Sequence, residues 1–217
     1  MHSALRQEQP RIDFFEKSAP HYDLFLDFLT FGQYSVFLKR AVEMLAPERG
    51  EKILDLCSGT GRVVSWIAKS VGRDGEVVGM DISKRMIEVA TNRCKGLGNV
   101  FFLQKDATTP WEHQNYFHGI FTSFAMHELP EAKRLGILRE SYLALKENGR
   151  MVIGDFNSQV SGTGKTVSLI FFKLFVRENL DFFAFDQNDM LREAGFKEIR
   201  TLPVLSNILQ ITVAFKI

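Results

Sequence analysis

Cysteine is scarce in this chain: Cys57 and Cys94 are the only two among 217 residues. Two isolated cysteines cannot build a disulfide scaffold, and no His, Cys or carboxylate cluster falls at ligand spacing, so no metal is expected. The same sparseness suits a reducing compartment. An excess of one charge is missing too. With 27 Lys+Arg against 26 Asp+Glu the net charge is +1, which excludes a polybasic nucleic-acid binder. No run approaches the roughly 18 uninterrupted apolar residues of a spanning helix. The longest candidate, 167–176, is broken by Lys173. The opening residues MHSALRQEQPRIDFF carry no apolar signal core. These absences predict a cytoplasmic protein without a transmembrane segment. Phenylalanine alone is plentiful, at 20 against 4 Tyr and 2 Trp.

From residue 51 onward, short β-rich runs alternate with helical patterns. Residues 52–57 (KILDLC) read as a buried strand, followed by a glycine turn and a helix over about 62–71. A second strand is expected over 76–81, with Ser83 as N-cap of the next helix, which should stop at Gly96 or Gly98. Residues 100–104 and 119–124 give the third and fourth strands. A long helix should run from Pro130 to about Lys146, ended by Asn148–Gly149, with a fifth strand over 150–156. After a helix over 189–194 come two β-rich runs split near 203–207. Alternation of this kind means βαβ units and a mostly parallel, α/β doubly wound sheet. The last two strands share a short loop and must be antiparallel. The chain reads as one domain, 1–217: an N-terminal helical cover over 1–50 and a ligand-binding core over 51–217. A Phe-rich insertion falls at about 157–186. Twelve of the phenylalanines fall in 14–37 and 171–185, outside the expected sheet.

The strongest motif is ILDLCSGTGRV, residues 53–63. The first strand-to-helix turn of a doubly wound sheet lies at its carboxyl edge, where ligands bind. Gly59 and Gly61 let backbone N–H groups approach a ligand with no Cβ in the way. Asp81 ends the second strand, where a carboxylate accepts hydrogen bonds from ribose hydroxyls. The pair predicts an adenosine-type ligand. A dinucleotide turn needs a third glycine, and Val64 stands in its place. Asp55 lies instead within the strand, ahead of Gly59.

With Asp55, Gly59 and Gly61 in the order D-x-x-x-G-x-G, the sequence resembles the class I S-adenosylmethionine-dependent methyltransferases over about 51–217. The resemblance implies a Rossmann-like, seven-stranded sheet with an antiparallel last strand, and S-adenosyl-L-methionine as cofactor. It implies that Asp55 organises the turn, that Gly59, Thr60 and Gly61 line the methionine part, and that Asp81 takes the ribose hydroxyls. Asp106, with Ala107 beside it, matches the adenine-edge position, and Ser123 matches a cofactor-contact position. The N-terminal FEKSAPHYDLF is similar to the start of the ubiquinone/menaquinone C-methyltransferase-like group, which implies a helical segment over the cofactor with Tyr22 near the methyl donor. After Ser123 stands FAMHEL, in which the substrate-recognising motifs of the true quinone enzymes are not clearly present.

Methyl transfer from a sulfonium is an in-line displacement, and the protein's task is alignment and exclusion of water. Should the acceptor need to lose a proton, His127 is the expected base, with a loop-capping role as its alternative. His21 and Tyr22 either shape the pocket or pack the N-terminal helix. His113 and His118 belong to the opposite edge and are expected at the surface. The two Phe-rich segments either cover an apolar, lipid-like small-molecule acceptor or simply pack onto the domain. Peripheral membrane contact through 167–185 has thin basic support, Lys173 and Arg177 beside Glu178 and Asp181. SGTGKT, residues 161–166, lacks the first glycine of a phosphate-binding loop, since Gln159 occupies that position. It reads as a Gly-rich hinge. Two other functions share the pocket logic: an NAD-dependent oxidoreductase and a non-catalytic S-adenosylmethionine-binding module.

Overall fold

Residues 13–162, 166 and 186–217 are described by the computed structural model. The phenylalanines of 171–185 and part of SGTGKT lie outside the described residues. The first strand, β1 (Lys52–Leu56), is apolar apart from Lys52 and Asp55 and is buried from Ile53 onward, as a parallel strand covered on both faces must be. It pairs in parallel with β2 (Glu76–Asp81) on one side and β4 (Phe117–Ser123) on the other. Beyond β2 lies β3 (Val100–Gln104), and beyond β4 lies β5 (Leu145–Phe156), both parallel. Then β7 (Leu209–Phe215) runs antiparallel to β5 and to the edge strand β6 (Lys197–Val204). The sheet order is β3-β2-β1-β4-β5-β7-β6. This is a seven-stranded, doubly wound, Rossmann-like α/β sheet. Its order reverses between β1 and β4, where such sheets open a crevice for ligands.

Residues 13–18 are helical, followed by a short 3₁₀ turn (Ala19–His21), α1 (Tyr22–Leu29) and α2 (Gln33–Leu45). Phe37, Leu38, Ala41 and Leu45 form the buried stripe of α2. Gly154 of β5 lets it settle: a Cβ there would come within 3.1 Å of the Phe37 ring. The core helices are α3 (Arg62–Val71), α4 (Lys84–Arg93), α5 (Glu131–Ala144) and α6 (Gln187–Glu193). Ser83 caps α4, its hydroxyl accepting the Met86 N–H at 3.1 Å.

Several boundaries differ from the sequence expectation, among them the fourth strand, which runs Phe117–Ser123 and not 119–124. The long helix stops at Ala144, because Leu145 is fully buried and pairs with Phe117, so the fifth strand begins there. The Asn148 N–H then donates to the Lys216 carbonyl at 2.9 Å, and Asn148 takes a positive φ of 62° within the strand rather than after the helix. The second core helix ends at Arg93, short of Gly96. Pro130 precedes α5 as its N-cap and is not its first residue.

Candidate functional site

The glycine turn is fixed by its neighbours on both sides. Gly61 has φ of +71°, and a Cβ on it would meet the Ala90 Cβ at 2.8 Å, so the turn lies directly against α4. Gly59 has φ of +52° and nothing within 4 Å of where a Cβ would stand. Asp81 braces the turn from below: one carboxylate oxygen accepts the Gly59 N–H at 2.8 Å, the other the Ser83 N–H at 2.9 Å. Each oxygen retains a second lone pair for a ligand.

Asp55 is buried beside this turn and accepts no hydrogen bond from any described residue. Burial, and then the charge of Asp81, push its pKa well above the usual carboxylate range. Burial likewise raises that of Asp81, against the opposing effect of the Ser83 and Gly59 N–H groups. A buried carboxylate is costly unless paired, and in the ligand-free protein burial favours the neutral form of both groups.

Eight of the sequence-predicted residues line one cavity: Tyr22, Asp55, Gly59, Thr60, Asp81, Asp106, Ala107 and Ser123. Asp106 closes a turn, its carboxylate accepting the Thr108 N–H and hydroxyl at 2.9 and 2.7 Å. Gly61 and His127 are not in the cavity wall. His127 is buried with its Nδ1 2.6 Å from Asp155, and its ring edge lies against Phe156. Asp155 also accepts the N–H groups of Met126, His127 and Phe156. Burial lowers the His127 pKa, but Asp155 and Glu128 outweigh it and the net direction is upward. Glu128 does line the cavity, with a carboxylate oxygen 3.9 Å from His127 Nε2. His21 is exposed and outside the cavity wall.

His113 and His118 are half-buried at the surface. His118 Nδ1 accepts the Lys52 N–H at 2.9 Å, stitching β4 to the start of β1. Burial lowers its pKa, and Lys146 adds to the effect. His113 packs against the rings of Tyr116 and Phe117.

Sequence reasoning missed the residues that fasten the cover. Asp23 is buried, and one of its oxygens takes the Thr60 hydroxyl at 2.7 Å, Arg93 at 2.6 Å and Arg62 at 3.3 Å. Asp27, one turn on, pairs with Arg62 at 2.8 Å. Arg62 also lies over the Tyr34 ring, which lines the cavity. Burial raises the pKa of both Tyr22 and Tyr34, keeping the hydroxyls protonated as donors. The spacing of Asp23 and Asp27 on one helix face was a readable signal; their partners, far along the chain, were not.

Among the described residues no group of three or more His, Cys, Asp and Glu could hold a metal ion. No helix among them is long and apolar enough to cross a membrane.

A model of the ubiE/COQ5 methyltransferase family matches residues 4–186. The ubiquinone/menaquinone biosynthesis C-methyltransferase UbiE of Photorhabdus laumondii is 32% identical over 146 residues, 66% of this chain and 57% of that protein. The chain thus spans little more than half the length of that relative. The 2-phytyl-1,4-naphtoquinone methyltransferase of Thermosynechococcus vestitus is 29% identical over 224 residues, 93% of this chain and 97% of its own length. An S-adenosylmethionine-dependent methyltransferase from Aquifex aeolicus shares the fold, with a TM-score of 0.61 at 20% identity over 83% of this chain and 89% of that one.

Proposed function

The chain belongs to the ubiE/COQ5 methyltransferase family, and on that premise we propose that it transfers a methyl group from S-adenosylmethionine to a small, apolar acceptor. The observation that carries the reading is the buried Asp55 carboxylate, which accepts no hydrogen bond from any described residue, beside Asp81 at the glycine turn. A cationic ligand relieves both carboxylates, and S-adenosylmethionine supplies an activated methyl group on a positively charged sulfur. Val64, at the third position of a dinucleotide turn, is fully buried in the core, which disfavours a pyrophosphate ligand there.

The residues divide the work as follows. Backbone at Gly59 and Thr60 holds the methionine part, with Gly61 shaping the turn behind them against Ala90, and Asp55 balances its charge. Asp81 takes the ribose hydroxyls with the lone pairs that Gly59 and Ser83 leave open. Asp106 and Ala107 meet the adenine edge, and Ser123 meets the cofactor at the end of β4. Tyr22 and Tyr34 act as neutral donors near the reacting methyl group. Phe15 and Phe124 complete an aromatic wall suited to an apolar acceptor. Where the acceptor must lose a proton, Glu128 receives it, because Glu128 lines the cavity and His127 does not. His127, held by Asp155 3.9 Å or less from its partners, serves as the next proton carrier behind it. The N-terminal helices between residues 13 and 45 form one functional unit with the core.

Incubation with methyl-labelled S-adenosylmethionine and a reduced prenylated naphthoquinone tests the reading. Label in the organic phase, lost in Asp81→Ala, is the expected result. Binding of the cofactor with no transfer to any apolar acceptor would leave only a binding module.

A further inference from the structure

Helix α1 is built inside out. A surface helix of a soluble protein buries its apolar stripe and shows its charges to water. Here Asp23 and Asp27, one turn apart, face the body of the protein, held by Arg62 and Arg93. The apolar residues face outward: Leu24 is 72% exposed, Phe25 52%, Phe28 81% and Leu29 41%. Phe31, in the turn that follows, is 93% exposed, and Phe14 and Val36 are each more than half exposed. The four phenylalanines alone put on the order of 500 Å² of apolar surface into solvent. That is already near the top of the roughly 300–600 Å² of the largest patch on a typical monomer.

The charges around this face are sorted as well. Between residues 13 and 40 the acids Glu16, Asp23 and Asp27 bond inward, Glu16 to the Ser83 hydroxyl at 2.9 Å, while Asp13 at the start of the segment is exposed. The bases Lys17, Lys39 and Arg40 are exposed. An outward face of phenylalanine and leucine, on a segment whose exposed bases outnumber its one exposed acid, matches an interfacial helix on anionic lipid. Shape separates a bilayer from a second copy of the chain. Phe28 and Phe31 stand almost wholly clear of the other described residues, and side chains that project so far are received by a fluid medium more readily than by a rigid surface.

We propose that α1 and the turn after it form a membrane-docking face that seats the protein on an anionic lipid bilayer. Tyr22 and Asp23 of the same helix reach the cavity and its glycine turn. Docking therefore brings the bilayer beside the site, where an apolar acceptor dissolved in lipid is within reach. The docking itself does not depend on the methyl-transfer reading.

Co-sedimentation of the full chain with phosphatidylcholine vesicles, with and without phosphatidylglycerol, tests it. The wild type should sediment with the mixed vesicles, less so with rising salt. Phe28→Ser with Phe31→Ser should weaken partition about tenfold or more, with an unchanged thermal midpoint and unchanged S-adenosylhomocysteine binding. Lys17→Glu with Arg40→Glu should cost about tenfold on the anionic vesicles and little on the neutral ones. The proposal is overturned if the wild type stays in solution with both vesicle types, or if the phenylalanine variant sediments like the wild type. It is equally overturned if light scattering finds a dimer that the phenylalanine variant dissolves while vesicles bind nothing.

Discussion

The Asp23 carboxylate accepts the Thr60 hydroxyl at 2.7 Å, joining α1 of the N-terminal segment to the centre of the glycine turn. The same oxygen holds Arg93 at the end of α4 and Arg62 at the start of α3. One buried carboxylate thus ties three helices to the turn that the family reading assigns to the methyl donor. Cover and turn are coupled: whatever loosens Asp23 loosens both.

Asp23→Ala should therefore lower stability by roughly 2–3 kcal/mol, since it leaves two partly buried guanidinium groups short of a partner. Asp23→Asn keeps an acceptor for Thr60 and should fall between the two. Urea unfolding measures both, and equal stability of all three proteins would contradict the coupling.

The two glycines of the turn should respond differently. Gly61→Ala adds a left-handed backbone penalty and a 2.8 Å clash with Ala90, together about 3 kcal/mol. Gly59→Ala meets no atom within 4 Å and should cost only about 1 kcal/mol of backbone strain. Thermal midpoints of the two variants check the order; a Gly59 variant less stable than the Gly61 variant would contradict it.

Asp55 is a group whose folded pKa is raised, by burial first and by Asp81 second. The native state therefore favours its protonated form, and stability is lost as pH rises from the unfolded carboxylate value through the native one. At neutral pH Asp55 weighs against the fold, so Asp55→Asn should raise the ligand-free thermal midpoint there and leave it unchanged in acid. The same variant should bind S-adenosylhomocysteine about tenfold more weakly or worse, having lost a charge-assisted contact. Calorimetry at both pH values reads both effects.

His127 carries the opposite linkage. Its folded pKa is raised above 6.5 because Asp155 and Glu128 outweigh the effect of burial. Its contribution is fully present below that value and is lost as pH rises through the native pKa. The stability gap between wild type and His127→Gln should be widest on the acid side and narrow above it. A gap that ignores pH would remove the charged His127–Asp155 pair from the account.

Much of this was legible in the sequence, and for local reasons. Glycine spacing after a buried strand, and Asp81 at the end of the next, are short-range signals, and the sheet follows from alternating strands and helices. What stayed hidden depends on contacts between distant residues. Nothing near Leu145 shows that Phe117 recruits it into a strand. His127 stood out as a base because of its position after β4, but its pairing with Asp155 spans 28 residues and leaves Glu128 in the cavity wall. The outward turn of the α1 phenylalanines likewise becomes visible only once Arg62 and Arg93 have claimed the acidic face.

Thermal unfolding with S-adenosylhomocysteine, and with NAD in parallel, tests the central claim most directly. At about 100 times its dissociation constant a ligand adds roughly 2.7 kcal/mol of stability. The account predicts a rise with S-adenosylhomocysteine alone, abolished or sharply reduced in Asp81→Ala. A rise with NAD and none with S-adenosylhomocysteine would contradict it.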